Sequence, residues 1–336
     1  MKRLLILTSI AMLAFLNLNA RVTLGNVQLN SVSEFSVSDS VTEVGTTASI
    51  TIPKKYALQE GVAILQQFKV GDRVTIEAGY NGEYNLEFSG YISEIDSDVP
   101  LTIQCEDMYF LRKNNFIKSY PAGTKLKTVL VDILEGTGIT PICDDVLVGK
   151  YIIDNASTFE VLQDLASTLM MYSTLNLENK TLRVGLAYTY TEKTQRHTYV
   201  IGRNVKQNDL KFKRKEDVRL RVEVASKNKN GKVTTVAVGE KGRNVNVIQI
   251  NLGTDYPEAE LRKIAENHHN VRVFDGYKGS ITGYGLPFTR AGDALTVIDR
   301  SEPDNEYREG TYLIESTTIS FGNGGFSRQN NLSYKI

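Results

Sequence analysis

The sequence predicts a mainly β protein with an α+β insertion, in which two similar β-barrel domains flank a small α+β domain. Three observations carry that expectation. Residues 15–110 and 198–336 are rich in short segments where apolar and polar residues alternate, the period of a half-buried strand. Between them, two segments place apolar residues at helical spacing. A pattern near one end of the first β region also returns near the end of the second.

The first region opens with FLNLNARVTL, residues 15–24, which puts Leu16, Leu18, Ala20, Val22 and Leu24 on one face. Val27 and Leu29 follow, and Val32, Phe35 and Val37 begin another strand. TASITIP at 47–53 is a strand closed by proline, which cannot donate to a ladder. Further strands are predicted from Val74, across Leu86 to Ile95, and across Leu101 to Cys105. Gly71-Asp72 is read as a turn, and Asn81-Gly82 between alternating runs is a strong hairpin signal. Residues 57–70 contain a helix-length insertion in which Gly61 weakens the helical reading.

After Pro121 the period changes. Leu126, Val129, Leu130, Ile133 and Leu134 form a helical stripe, with Thr124 as the expected N-cap and Gly136 past the end. A second stripe has Phe159, Leu162, Leu165, Ala166 and Leu169, with Thr158 as the expected cap. Strands are expected at Tyr151 to Ile153, at Tyr172 to Leu177 and at Thr181 to Leu186, the last two joined through residues 178–180. The second β region contains a hairpin from Val218 to Val238 over Asn228 to Gly231, and one helix from Pro257 to His268. Strands are then expected at Val271 to Phe274, Tyr277 to Ile281, Ala294 to Val297, Gly310 to Ile319 and Asn331 to Ile336. The resulting division is a segment 1–14, a first barrel 15–118, the α+β unit 119–192 and a second barrel 193–336.

Length and composition agree with such a protein. At roughly 150 residues per domain, 336 residues make two or three domains. Lys plus Arg is 39 and Asp plus Glu is 39, so no excess positive charge favours a grip on nucleic acid or an anionic membrane. The two cysteines, Cys105 and Cys143, are too few for a disulfide scaffold and lack a zinc-binding spacing. Cys105 reads as an inert core thiol.

The amino terminus carries two patterns. Lys2 and Arg3 precede an apolar run from Leu4 to Leu16, and residues 17–20 resemble the exit of a signal peptide. The alternation of residues 15–24 runs across that cleavage point, so cutting after Ala20 would halve a strand. The expectation is that translation begins at Met12 and that the preceding residues are an upstream extension. If the segment is a true leader, the protein is exported.

No constellation of catalytic residues stands out, and no metal or cofactor ligands are expected. His268-His269 with Glu266 lacks the i, i+4 spacing of a helical zinc site and reads as imidazoles near a helix carboxyl end. Asp144-Asp145 and Asp96 with Asp98 read as loop carboxylates in turns. Gly322 to Gly325 lies between strands and reads as a hairpin, not a phosphate cradle, and Gly279 to Gly283 fails the spacing of a nucleophile elbow. The basic stretch with Lys206, Lys211, Lys213, Arg214, Lys215, Arg219 and Arg221 reads as an exposed strand guarded by charge, the alternative being a contact with DNA in a lumen.

The internal repeat pairs GDRVTIEAGYNGEYNLEFSGYISEI at 71–95 with GDALTVIDRSEPDNEYREGTYLIES at 292–316. Each opens on Gly-Asp, enters a strand, crosses a polar loop and re-enters a strand after glycine, Gly90 or Gly310, at nearly equal spacing. Other segments add to this: SITIPK at 49–54, VGDRVTIEAGY at 70–80, FSGYISEI at 88–95, GTKLKTVLVDILEGTGI at 123–139 and TFEVLQDLASTLMMYSTLNLENKTLRVG at 158–185. GYKGSITGYGLPFTRAGDALTVID at 276–299 and GTYLIESTTISFGNGGFSRQNNL at 310–332 complete the set.

In order and spacing these resemble the tail hub, or late control protein D, family of contractile-tailed phages and related injection systems, which includes the hub part of type VI secretion spike proteins. The resemblance implies a non-enzymatic structural protein with two similar barrels per chain. It implies a homotrimer between a sixfold tail tube and a threefold spike, with tube, spike and baseplate proteins as partners. It further implies a place in the virion tail baseplate after assembly in the host cytoplasm, with no membrane span and no sequence-specific nucleic-acid recognition. The competing expectation, favoured by the leader-like segment, is a secreted or surface β-rich protein that binds glycans.

Overall fold

A computed structural model describes residues 17–29, 32–52, 58–59, 62–63, 67–96, 100–186, 195–253, 255–300 and 309–336. The first β region comprises β1 (Leu18–Leu24), β2 (Val27–Leu29), β3 (Glu34–Ser40), β4 (Thr47–Ile52), β5 (Leu58–Gln59), β6 (Val62–Ala63), β7 (Arg73–Tyr80), β8 (Glu83–Asp96) and β9 (Leu101–Glu106). The alternation in the sequence is the alternation in the fold. Val22, Leu24, Phe35, Val37, Ile50, Val74, Ile76, Ile92 and Ile103 all enter one core, and Cys105 lies buried among them.

Strand β1 runs unbroken across Ala20 and Arg21 and pairs with β7 from Leu18↔Tyr80 to Leu24↔Val74. The β7–β8 hairpin turns on Asn81 and Gly82, both at positive φ (56° and 83°), the conformation that makes Asn-Gly the favoured two-residue loop. The helix-length insertion is corrected where it is described: β5 and β6 are short strands that pair as Leu58↔Ala63 and Gln59↔Val62. Residues 57, 60–61 and 64–66 of that insertion and the segment 1–14 lie outside the described residues.

The middle of the chain supplies β10 (Asn115–Tyr120), β11 (Thr124–Lys125), α1 (Leu126–Ile133), β12 (Thr140–Cys143), β13 (Leu147–Val148), β14 (Tyr151–Ser157), α2 (Thr158–Leu169), β15 (Met171–Asn176) and β16 (Thr181–Leu186). Both helical stripes face inward as expected, but both caps sit elsewhere. The N-cap of α1 is Lys125, and the Thr124 hydroxyl is turned away from the helix, donating to Pro121 O at 2.7 Å. The N-cap of α2 is Ser157, which accepts from Glu160 N–H while the Glu160 carboxylate accepts from Ser157 N–H, a reciprocal capping box.

The last part contains β17 (Arg196–Val200), β18 (Val205–Lys213), β19 (Leu220–Lys227), β20 (Val233–Gly239), β21 (Asn246–Asn251), α3 (Glu258–Asn270), β22 (Gly276–Gly283), β23 (Ala294–Ile298), β24 (Gly310–Gly322) and β25 (Gly325–Lys335). The expected strand at Val271 to Phe274 does not form. Helix α3 continues to Asn270, and the N–H groups of Val271 and Val273 still bond back to carbonyls of its last turn. Strands β19, β20 and β21 form their own sheet, and Val222, Val224, Leu261 and Ile264 share one hydrophobic cluster with Leu130, Leu162 and Val184 of the middle region.

Both β regions join a single thirteen-stranded sheet with the path β18-β22-β25-β24-β3-β4-β9-β8-β7-β1-β2, to which β23 and β17 attach beside β24. Within it a five-stranded unit occurs twice. In sheet order the first is β3-β4-β9-β8-β7 and the second β18-β22-β25-β24-β23, every neighbour antiparallel and the chain order the same.

The correspondence extends to single hydrogen bonds. Gly71 N–H donates to Ile92 O at 2.8 Å and Ile92 N–H to Asp72 O at 2.9 Å; Gly292 N–H donates to Ile314 O and Ile314 N–H to Asp293 O, both at 2.8 Å. A bulge follows each isoleucine, since Ile92↔Cys105 is succeeded by Glu94↔Gln104 and Ile314↔Leu332 by Ser316↔Asn331. The sequence repeat is therefore a repeat of topology. Its sixth strand departs: β1 is antiparallel to β7, whereas β17 is parallel to β23.

Candidate functional site: a polar junction between the halves

The β-bulge between β7 and β8 sets up the site. Ile76 pairs with Phe88 and Glu77 with Leu86, which leaves Glu87 without a counterpart and turns it inward beside Phe88. In the other half, strict alternation along β25 buries Phe326, Arg328, Asn330, Leu332 and Tyr334, so two polar side chains occupy core positions. Arg328 Nη2 donates to both oxygens of Glu87 at 2.7 Å, its Nε to Gly285 O at 2.9 Å and its Nη1 to Thr289 O at 2.8 Å. Both side chains of the pair are fully buried.

The guanidinium thus fixes the 285–289 loop as well as the carboxylate. Asn330 Oδ1 accepts from Thr289 Oγ1 at 2.7 Å and from Thr317 Oγ1 at 3.0 Å, and its Nδ2 donates to Tyr199 OH at 3.3 Å. Gly285 is required in that loop: its φ is +81° and a Cβ there would stand 2.2 Å from the Phe326 ring.

Further contacts stitch the halves together. Tyr80 OH donates to Tyr284 O at 2.6 Å, Arg290 Nη2 to Leu86 O at 2.6 Å and Ala291 N–H to Asp39 Oδ2 at 3.1 Å. A cleft of about 590 Å³ opens here, lined by Asp39, Glu87, Asp107, Arg290 and Asp293 among others. Thr46 bridges two of these acids, its hydroxyl donating to Asp39 Oδ1 at 3.1 Å and its N–H to Asp107 Oδ1 at 2.8 Å.

Burial dominates their protonation. It raises the carboxyls of Asp39 and Asp293 above the ordinary value and pushes Asp107 up to about 7, with the neighbouring Asp39 adding to the Asp107 shift. Burial also raises Glu87 against the pull of Arg328. His197 Nε2 lies 3.1 Å from Asp293 Oδ2. These groups are paired with backbone amides, threonines and cations, an arrangement that braces the two halves of the sheet against each other.

The residues weighed from the sequence lie apart from this junction. His268 is buried in the last turn of α3, and desolvation lowers its pKa to about 4, so it is a neutral core imidazole; neither ring nitrogen has a hydrogen-bond partner among the described residues. Asp144 accepts from Leu186 N–H at 3.0 Å and ties its loop to β16, while Asp145 pairs with Lys125 on the surface. Asp96 ends β8, and Asp98 lies outside the described residues. Cys105 is buried and its thiol is pushed up to about 12. The basic stretch includes β18, an edge strand whose only neighbour among the described residues is β22. Gly322 and Gly325 close the β24–β25 hairpin. Among the described residues no group of three or more His, Cys, Asp or Glu side chains converges to hold a metal ion, and no helix is long and apolar enough to cross a membrane.

No protein-family model matches the sequence, and no curated protein matches it. Solved structures do match. A tail protein from Neisseria meningitidis superposes with a TM-score of 0.65 over 94% of this chain and 96% of its own, at 13% identity. The 43 kDa tail protein of prophage MuSo2 from Shewanella oneidensis gives 0.62 over 95% and 99%, at 14% identity.

The fold is that of phage tail proteins.

An Escherichia coli component of the type VI secretion system, described as structurally similar to T4 bacteriophage tail proteins gp27 and gp5, gives 0.59 over 94% of this chain and 76% of its own, at 10% identity. The resemblance read from the sequence is thus met at the level of the fold, which phage tails and this secretion component share.

Proposed function

We propose that this chain is a structural hub of a contractile phage tail or phage-like injection system. Three copies form a ring whose six β units, two per chain, meet the sixfold tail tube, while its opposite face keeps threefold symmetry for the spike. Each five-stranded unit belongs to one barrel-like domain, the first within 15–118 and the second within 193–336, with 119–192 between them. The protein is not an enzyme, and it acts in the tail baseplate after assembly in the host cytoplasm.

The observation that carries this reading is the duplicated unit itself. Two modules with the same strand order, the same Gly-Asp clamp on an isoleucine and the same bulge are what a single chain needs to offer two near-equivalent surfaces. The likeness to tail proteins over nearly the whole chain supports it. Light scattering on the purified chain tests it: the expected result is a mass of three chains and threefold rings in electron micrographs. A chain that stays monomeric at high concentration and in the presence of its tube and spike proteins overturns it.

A further inference from the structure

The duplication also specifies how one copy meets the next. Two pairing rows define the equivalence: Val37↔Ala48↔Cys105↔Ile92 in the first unit and Leu210↔Gly279↔Leu332↔Ile314 in the second. Strand β18 therefore corresponds to β3, and the end of β8 to the middle of β24.

Inside the chain, the outer edge of β3 is covered by β24, with Ser40↔Ser316, Asp39↔Thr317 and Ser38↔Thr318. The corresponding edges elsewhere are open among the described residues. Strand β18 pairs only with β22. Strand β7 leaves β8 at Arg73↔Tyr91, and among the described strands the ladder of Glu94, Ile95 and Asp96 is with β9.

We infer that β18 of one copy adds to the end of β8 in the next copy, antiparallel, in the register Lys213↔Glu94, Phe212↔Ile95 and Lys211↔Asp96. The register follows residue by residue from the β3–β24 seam. It sets two lysines opposite two carboxylates and an aromatic ring opposite an isoleucine, pairs that favour association across strands.

The lysines have a double role. An open edge invites indiscriminate pairing, and charge on it keeps wrong partners away until an acidic edge arrives. Such an interface is head to tail and repeats around a ring. This inference rests on the ring proposed above and names the surface that closes it.

The test uses the full chain. Lys211 and Asp96 are exposed, so reversing either charge leaves the core alone; Lys213 is less suited because its ammonium bonds Arg272 O and lies 4.6 Å from the centre of the Phe274 ring. Lys211→Asp or Asp96→Lys alone is expected to weaken ring formation by about tenfold or more, and the double variant to restore it. In a second measurement, differently tagged chains carrying Lys211→Cys and Asp96→Cys are co-expressed and oxidised. A mixed disulfide is expected on non-reducing gels, with none when the cysteine is moved to exposed Gln163. Rings that form normally with either single reversal and give no mixed disulfide overturn this pairing and leave the ring standing. A native chain that never associates overturns both.

Discussion

Arg328 and Glu87 are 241 residues apart in sequence, yet they form a fully buried pair with two hydrogen bonds of 2.7 Å between the two halves of the sheet. Removing one partner strands the other charge away from water. Glu87→Gln or Arg328→Met alone is expected to cost about 3–5 kcal/mol, read as a lower urea midpoint, and the double change Glu87→Leu with Arg328→Met is expected to cost less than either single change. A double variant that is worse than both singles would show that the pair does not act as a unit.

Asp107 makes the fold less stable as pH rises towards neutrality. Its carboxyl is pushed up from 3.8 to about 7, so between those values the native state holds a proton that the unfolded chain has released. Stability contributed by this group is complete below about 4 and falls as pH rises through 7. Asp39 and Asp293 are shifted in the same direction. Asp107→Asn, which keeps the acceptor for Thr46 N–H, is expected to flatten the decline in urea midpoint between pH 5 and pH 8. An unchanged slope would remove Asp107 as its source.

His268 acts on the acid side. Its folded value is lowered from 6.5 to about 4 by burial, with Arg272 adding to the shift. Between those values the unfolded chain takes up a proton that the native state refuses, so stability falls as pH drops from 6.5 towards 4. His268→Leu is expected to reduce the loss of thermal midpoint between pH 7 and pH 5. A variant that loses as much as the parent would contradict this.

Ser157 caps α2 together with Glu160. Ser157→Ala is expected to cost about 1 kcal/mol by urea denaturation, whereas Thr158→Ser, at the position the sequence suggested for the cap, is expected to leave the capping box in place because Ser157 supplies it. A larger loss at Thr158 would need another cause, such as its hydroxyl bond to Ile133 O at 2.7 Å.

Much of this fold is readable in the sequence where a local rule governs. Period-two alternation marked β1 and the other strands of the first unit, Asn81-Gly82 marked its hairpin, and the Gly-Asp repeat marked the two units. Each cap lies one residue from the expected position: α1 begins after Lys125, and Thr158 is already the first residue of α2, whose cap is Ser157. The polar junction was hidden for a different reason. Glu87 is turned inward by a bulge, which breaks the period that sequence reading relies on, and its partner is a distant arginine. A signal was present in β25, where Arg328 and Asn330 fall on the same alternating face as Phe326, Leu332 and Tyr334. Polar residues in apolar slots announce a buried network, though not its partner.

The seam of β3 with β24 has a consequence for synthesis. An early strand of the chain finds its outer neighbour in one that is synthesised long after it. Until then β3 presents a bare edge with Phe35 and Val37 on its inner face, and contacts so distant in sequence close slowly. The earlier half is thus a waiting template, completed by β24 of its own chain or captured by a neighbour's.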